Sequence, residues 1–94
     1  MKVARFKADR KDGLREAYIF VDNVFLPFVN DEAAEYFDDN DTGFNLLWRI
    51  DGPTGSSLEV TMAVEGSPAQ TIVRSKIRAS DHERRSDSNT ISLG

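Results

Sequence analysis

Residues 44–51, FNLLWRID, decide the fold class because large apolar side chains recur there at every second position. Residues 57–65, SLEVTMAVE, and residues 70–79, QTIVRSKIRA, continue the same alternation. A period of two is typical of β-strands with one buried face, and the segments between the three runs, which contain Gly and Pro, favour turns. The pattern therefore predicts a three-stranded antiparallel meander whose apolar face, which includes Trp48, is covered by the rest of the chain.

The side chains also predict a register for this meander, because a slip of one residue would turn its apolar face to solvent. In the first predicted hairpin, residues 44–51 pair with residues 57–65, and Arg49 lies opposite Glu59. In the second predicted hairpin, Lys76 lies opposite Glu59. Glu59 is then expected between two cations, where each cross-strand charge pair contributes roughly 0.2 to 1 kcal/mol.

Length and composition predict one domain with one core. The chain has 94 residues, a net charge of -4 from 12 basic and 16 acidic residues, and no cysteine. The lack of cysteine excludes disulfides and thiolate metal sites, and the acidic balance argues against general nucleic-acid binding. No run approaches the roughly 18 apolar residues of a membrane helix and no signal peptide is visible, so a full-length chain is expected to be cytoplasmic.

The C-terminal part of the sequence is much more polar than the rest. Residues 80–89, SDHERRSDSN, contain no apolar side chain that could anchor them to a core. We therefore expect residues 1–80 to form the single β domain and residues 81–94 to form a polar tail or a long loop. Because residues 90–93, TISL, alternate again, the alternative is that they return as a last edge strand.

Residues 17–21, AYIFV, are apolar at consecutive positions and rich in β-branched and aromatic side chains. A run of this kind is typical of a strand that is covered on both faces, and the alternative is a short buried helix, against which the flanking turn residues argue. The sequence therefore predicts a covering layer on each side of this strand.

One short helix is predicted near residues 31–37. Asn30 or Asp31 can cap its first turn, and the two alanines that follow are good helix formers. Together with the strands, this predicts a mainly β fold: a single antiparallel β-sandwich or flattened barrel of about six strands with one short helix.

Residues 24–29, VFLPFV, are the most apolar stretch of the chain. Pro27 has no N–H to donate, so this stretch is expected at a sheet edge or in an extended connection. An edge that carries Phe25, Leu26 and Phe28 is a surface that proteins cover, either with their own chain or with a partner. These three residues are the predicted partner-binding residues, for another protein or for a second copy of this chain.

Residues 38–43, DDNDTG, suggest an oxygen-ligand site for calcium. An EF-hand is excluded, because the twelfth position of such a loop would be Arg49 rather than a bidentate Glu. A simpler cage built from Asp38, Asp39 and Asp41 stays as a hypothesis beside that of a solvated turn. The same loop is the predicted site of an alternative carbohydrate- or calcium-binding module.

No constellation of residues with catalytic geometry is visible in the sequence. His82 is the only histidine, and it lies in the polar segment without a fixed partner. The sequence therefore predicts a protein that is not an enzyme and needs no cofactor, calcium apart. Its predicted function is that of a recognition or assembly module that binds a protein partner or itself through an apolar edge.

Overall fold

The computed structural model describes residues 1–93 and is a sandwich of two four-stranded antiparallel sheets. Its strands are β1 (Lys2–Lys11), β2 (Glu16–Val21), β3 (Val24–Phe25), β4 (Glu32–Phe37), β5 (Gly43–Asp51), β6 (Ser57–Val64), β7 (Gln70–Lys76) and β8 (Arg84–Ser92). Sheet A has the order β4-β1-β6-β7, and sheet B has the order β3-β2-β5-β8. The predicted mainly β sandwich is confirmed, with eight strands rather than about six.

The first predicted hairpin is wrong, because β5 and β6 belong to different sheets. β5 pairs with β2 and β8, whereas β6 pairs with β1 and β7. The segment between them crosses from one sheet to the other, and Gly52 N–H donates to the Glu83 carbonyl at 3.0 Å. Both strands bury one face against the same core, so alternation alone does not distinguish a hairpin from a crossing between layers.

The second predicted hairpin, β6 with β7, is present with a different register. Val60 pairs with Val73, and Glu59 pairs with Arg74 instead of Lys76. A register shift follows between Val60 and Thr61. Because the difference from the predicted register at Glu59 is two residues, every apolar side chain there keeps its face, and the hydrophobic pattern could not separate the two registers.

The predicted helix near residues 31–37 is wrong, because these residues form β4, which pairs with β1. Asn30 and Asp31 have φ values of 53° and 62° and form the turn before the strand rather than a helix cap. Phe37 is buried at the end of β4. In the strand, Ala33 packs against the core on the same side as Phe37, whereas Tyr36 is 62% exposed, and pairing with β1 decides for the strand over a short helix.

The polar C-terminal segment contains a full strand. β8 pairs with β5 along nine residues, from Arg84 to Ser92, rather than only over residues 90–93. Its inward positions are mostly polar, and Arg85 lies 3.5 Å from Asp81 and 3.6 Å from Asp87. Pairing with β5 satisfies the backbone N–H and C=O groups of β8 that face it. This pairing forms a strand that the polar side chains do not predict.

The core lies between the two sheets and comes mostly from the strands. The segments beside the strands add Leu14, Leu26, Ile77 and Leu93. Phe6 makes edge contacts with Phe44 at 6.2 Å and with Phe28 at 6.5 Å, and Trp48 is buried as the alternation predicts. Within residues 1–93 the helical structure is the 3₁₀ turn Ala79–Asp81, and no helix there has the length and apolar character to span a membrane.

Candidate interaction surface

The structure separates the three residues predicted to bind a partner. Leu26 is only 4% exposed and belongs to the core. Phe28 is partly buried, and its ring meets the ring of Phe6. Phe25 lies on β3 with half of its surface exposed. Of the three, Phe25 is therefore the side chain that a partner can reach most fully.

Phe25 belongs to a group of apolar side chains on the outer face of sheet B. Phe20 pairs with Phe25 on one side and with Leu47 on the other. The ring of Phe25 lies 5.7 Å from the ring of Phe20 and 6.4 Å from the ring of Tyr18. We call Tyr18, Phe20, Phe25 and Leu47 the aromatic patch.

The aromatic patch arises from the strand that the sequence marks as apolar on both faces. Ile19 and Val21 of β2 point into the core and are buried. Tyr18 and Phe20 alternate with them and point outward, where no element among residues 1–93 covers them. Tyr18 is 39% exposed, and Phe20 is partly exposed. The predicted cover is thus present on one side of β2 and missing on the other.

Charged residues border the aromatic patch on one side. Glu16, Asp51 and Arg84 occupy one row across β2, β5 and β8. Asp51 accepts a hydrogen bond from Arg15 at 3.0 Å, and Arg84 lies 3.9 Å from Asp51. Arg49, paired with Tyr18, stands between this row and the patch. Together these residues line a shallow, open depression in the outer face of sheet B.

Tyr18 connects the charged row to the aromatic patch. Its hydroxyl donates a hydrogen bond to Glu16 Oε2 at 2.9 Å. This hydrogen bond, with the negative charge of Glu16, raises the pKa of Tyr18 above its ordinary value. This hydrogen bond ties the polar end of Tyr18 to the charged row, while its ring belongs to the aromatic patch.

The acidic loop after β4 is organised by contacts with the start of the chain. The Asp39 carboxylate pairs with the N-terminal ammonium group, which lowers the pKa of Asp39. Asp41 Oδ2 accepts the Asp38 N–H at 3.0 Å, and the Asp41 carbonyl accepts a hydrogen bond from Lys2 Nζ at 2.7 Å. In residues 1–93, no group of three or more His, Cys, Asp or Glu side chains is arranged to hold a metal ion. Calcium or carbohydrate binding here stays a prediction.

Three members of the aromatic patch were missed as site residues in the sequence. The run of residues 17–21 predicts a strand that is covered on both faces, with Tyr18 and Phe20 covered, and Leu47 falls at a position that the alternation of residues 44–51 turns away from the core. The available signals were the unbroken run AYIFV and the paired leucines of residues 44–51. Neither signal tells whether the second apolar face meets another part of the chain or solvent.

His82 adopts a left-handed conformation at the end of the 3₁₀ turn, in the segment that leads into β8. No hydrogen bond or ion pair joins it to Ser80 or Asp81 within the described part of the chain. No protein-family model, curated protein or solved structure matches this chain.

Proposed function

We propose that this protein is a non-enzymatic assembly module that pairs with a second copy of itself through the outer face of sheet B. The observation that carries the proposal is the uncovered contact between Tyr18, Phe20 and Phe25 on that face. Aromatic side chains grouped on a solvent-facing sheet, with charged residues at their border, have the composition of a protein-binding surface.

The charges around the aromatic patch favour a second copy as the partner. Glu16, Asp51 and Glu83 are balanced by Arg15, Arg49 and Arg84, so the bordering charges sum to zero. In a twofold dimer the same surface occurs on both sides, and a surface that carries both signs can place cations of one copy near anions of the other. A strongly acidic or basic partner would find no complementary field here.

The size of the face sets the expected affinity. Four strands about 4.8 Å apart, with about six residues of 3.4 Å each, give a flat area of roughly 400 Å². A stable interface buries about 800 Å² on each partner. The pairing is therefore expected to be reversible, with a dissociation constant in the micromolar range or weaker.

The test is the solution mass over a tenfold concentration range, measured by light scattering on a sizing column. We expect the wild-type mass to rise from one copy toward two, and Phe25→Asp to remain a monomer. Tyr36→Asp is the matched control, because Tyr36 is 62% exposed on β4 of the other sheet. A wild-type monomer at all concentrations, or an equal loss in both variants, would contradict the proposal.

A further inference from the structure

On the edge of β8 that faces away from β5, backbone N–H groups donate hydrogen bonds to the side chains of neighbouring residues. β8 pairs with β5 on one side, and no strand of residues 1–93 pairs with its other side. On that free side, Ser88 N–H donates to Asp87 Oδ1 at 2.9 Å, and Thr90 N–H donates to Asn89 Oδ1 at 2.9 Å. We call the side chains of Asp87 and Asn89 the edge caps.

The same arrangement occurs at an edge of the other sheet. Tyr36 N–H on β4 donates to Glu35 Oε1 at 3.0 Å, and β4 is an edge strand of sheet A. In each case the residue before the free N–H supplies the acceptor. The same kind of hydrogen bond occurs on two edge strands that are far apart in sequence. This indicates that it closes sheet edges and does not belong to one local turn.

β8 otherwise has the properties of a strand that could pair again. It has nine residues, keeps one register along β5 and contains no Pro, and its charged side chains Arg84, Arg85 and Asp87 all lie in its first half. The remaining edges have other obstacles: β3 has two residues and is followed by Leu26 and Pro27, and the pairing of β7 is irregular beside Val60 and Thr61. Long, regular edge strands are the ones that pair with other chains unless something blocks them.

From these contacts we propose that the free edge of β8 is a latent strand-pairing surface for the β8 of a second copy, held closed by Asp87 and Asn89. An incoming strand would have to break both caps and remove the Asp87 carboxylate from water before it gained its own hydrogen bonds. Asp87 also pairs with Arg85 at 3.6 Å, and removing this ion pair from water is costly, so the closed state is favoured. Antiparallel β8 pairing would join two four-stranded sheets into one continuous sheet.

Pairing at the β8 edge of sheet B does not depend on pairing through the outer face of that sheet. The two can be tested separately by adding Phe25→Asp to every variant, because that change removes the aromatic patch contact. Assembly that survives Phe25→Asp belongs to the edge, and assembly that is lost with it belongs to the face.

The experiment compares three variants in the Phe25→Asp background by sedimentation velocity and thioflavin T fluorescence. Asp87→Val with Asn89→Val removes both caps, and we expect dimers or larger assemblies at concentrations at least tenfold below any seen for the parent. Asp87→Asn keeps an acceptor at the first cap while removing the charge. Ser86→Val with Ser88→Val adds the same apolar groups on the outer face with the caps intact. The outer-face control should behave as the parent, whereas Asp87→Asn, which loses the charge but keeps an acceptor, should assemble more than the parent and less than the double cap variant.

An unchanged mass for the double cap variant, or equal assembly by the outer-face control, would overturn the inference. If the double variant does not fold, the single change Asn89→Ala gives the same answer, since Asn89 is exposed. At a concentration where the Asn89→Ala variant is a monomer, its Thr90 amide should exchange with solvent several-fold faster than in the parent. Equal exchange rates would show that Asn89 does not cap this edge.

Discussion

Glu59 on β6 faces Arg74 on β7, with Glu59 Oε2 lying 3.4 Å from Arg74 Nε. The sequence pattern alone pairs Glu59 with Lys76. Arg74 is well exposed, whereas Glu59 is about one third exposed, so the pair is screened by water and its contribution is small.

A double-mutant cycle on this pair measures the register of the β6–β7 hairpin in solution. We expect Glu59→Ala and Arg74→Ala to show a coupling of roughly 0.2 to 1 kcal/mol in the free energy of unfolding. The matched cycle with Glu59→Ala and Lys76→Ala should show none, because Lys76 pairs with Ser57. Coupling to Lys76 in place of Arg74 would mean that the hairpin has the register of the sequence pattern.

The apolar stretch after β2 divides into a core residue and a surface residue, which mutation can separate. Leu26→Ala should lower the free energy of unfolding by about 2 to 5 kcal/mol, because Leu26 is 4% exposed. Phe25→Ala should cost less than about 1.5 kcal/mol at a concentration where the protein is monomeric. Urea denaturation of both variants measures the difference. Equal losses would place Phe25 in the core as well.

Gly43 is required where β5 begins its pairing with β8. A Cβ atom at this position would lie 2.6 Å from the carbonyl oxygen of Ile91. Since that atom is backbone, the two strands must move apart to accept it, and we expect Gly43→Ala to cost about 1 to 3 kcal/mol. Arg49→Ala, an exposed position on the same strand, is the control. Hydrogen exchange should show the loss of protection at the Ile91 end of β8.

The 3₁₀ turn before β8 should make stability depend on pH. Arg78 N–H donates to Asp81 Oδ2 at 2.7 Å, and this bond lowers the pKa of Asp81. In the unfolded chain the Asp81 carboxyl has the ordinary pKa of about 3.9. The unfolded chain therefore takes up this proton at a higher pH than the folded protein does. The stabilisation is fully present above that value and is lost as the pH falls through the lower folded pKa.

Asp81→Asn should accordingly lower the melting temperature at pH 7 but have a shrinking effect toward pH 2. Thermal unfolding followed by circular dichroism at a series of pH values measures this. Asp12→Asn removes a carboxylate that has no ion pair among residues 1–93 and serves as the control. A difference that stays constant down to pH 2 would mean that the Asp81 carboxylate does not stabilise the turn through its charge.

The calcium hypothesis for the loop of residues 38–43 has a direct test. Calcium bound only by the folded protein raises the melting temperature, and Asp39→Ala with Asp41→Ala removes the rise. Because Asp39 pairs with the N-terminal ammonium group, a bound ion would have to displace that contact. No shift in the intact protein at millimolar calcium would contradict this hypothesis.

The fold class could be predicted from alternation, but the partners of the strands could not. The side chains of β5 and β6 alternate in the same way whether the strands pair or face each other across the core. What decides between the two is the path of residues 52–56, where Gly52 bonds to Glu83 from a distant part of the chain. Contacts of this kind have no local signature in sequence.

Site prediction had the same limit. The apolar character of Phe25, Leu26 and Phe28 was visible in the sequence, whereas their different exposure depends on which sheet lies beneath each side chain. Tyr18 likewise looks buried in sequence because its neighbours Ile19 and Val21 are. A strand with two apolar faces predicts that both are covered but does not identify what covers the second.

The place of β8 as the last of the eight strands has a consequence during synthesis. A chain emerges from the ribosome at about 5 to 20 residues per second, so its earlier strands are available before the later ones have been made. β5 can find β2 early, but its other edge, nine residues long, stays open until β8 has emerged. A ribosome that stalls between β7 and β8 would expose this edge, beside Leu46 and Trp48, to other nascent chains. The polar β8 thus ends the interval in which this protein is most prone to co-translational aggregation.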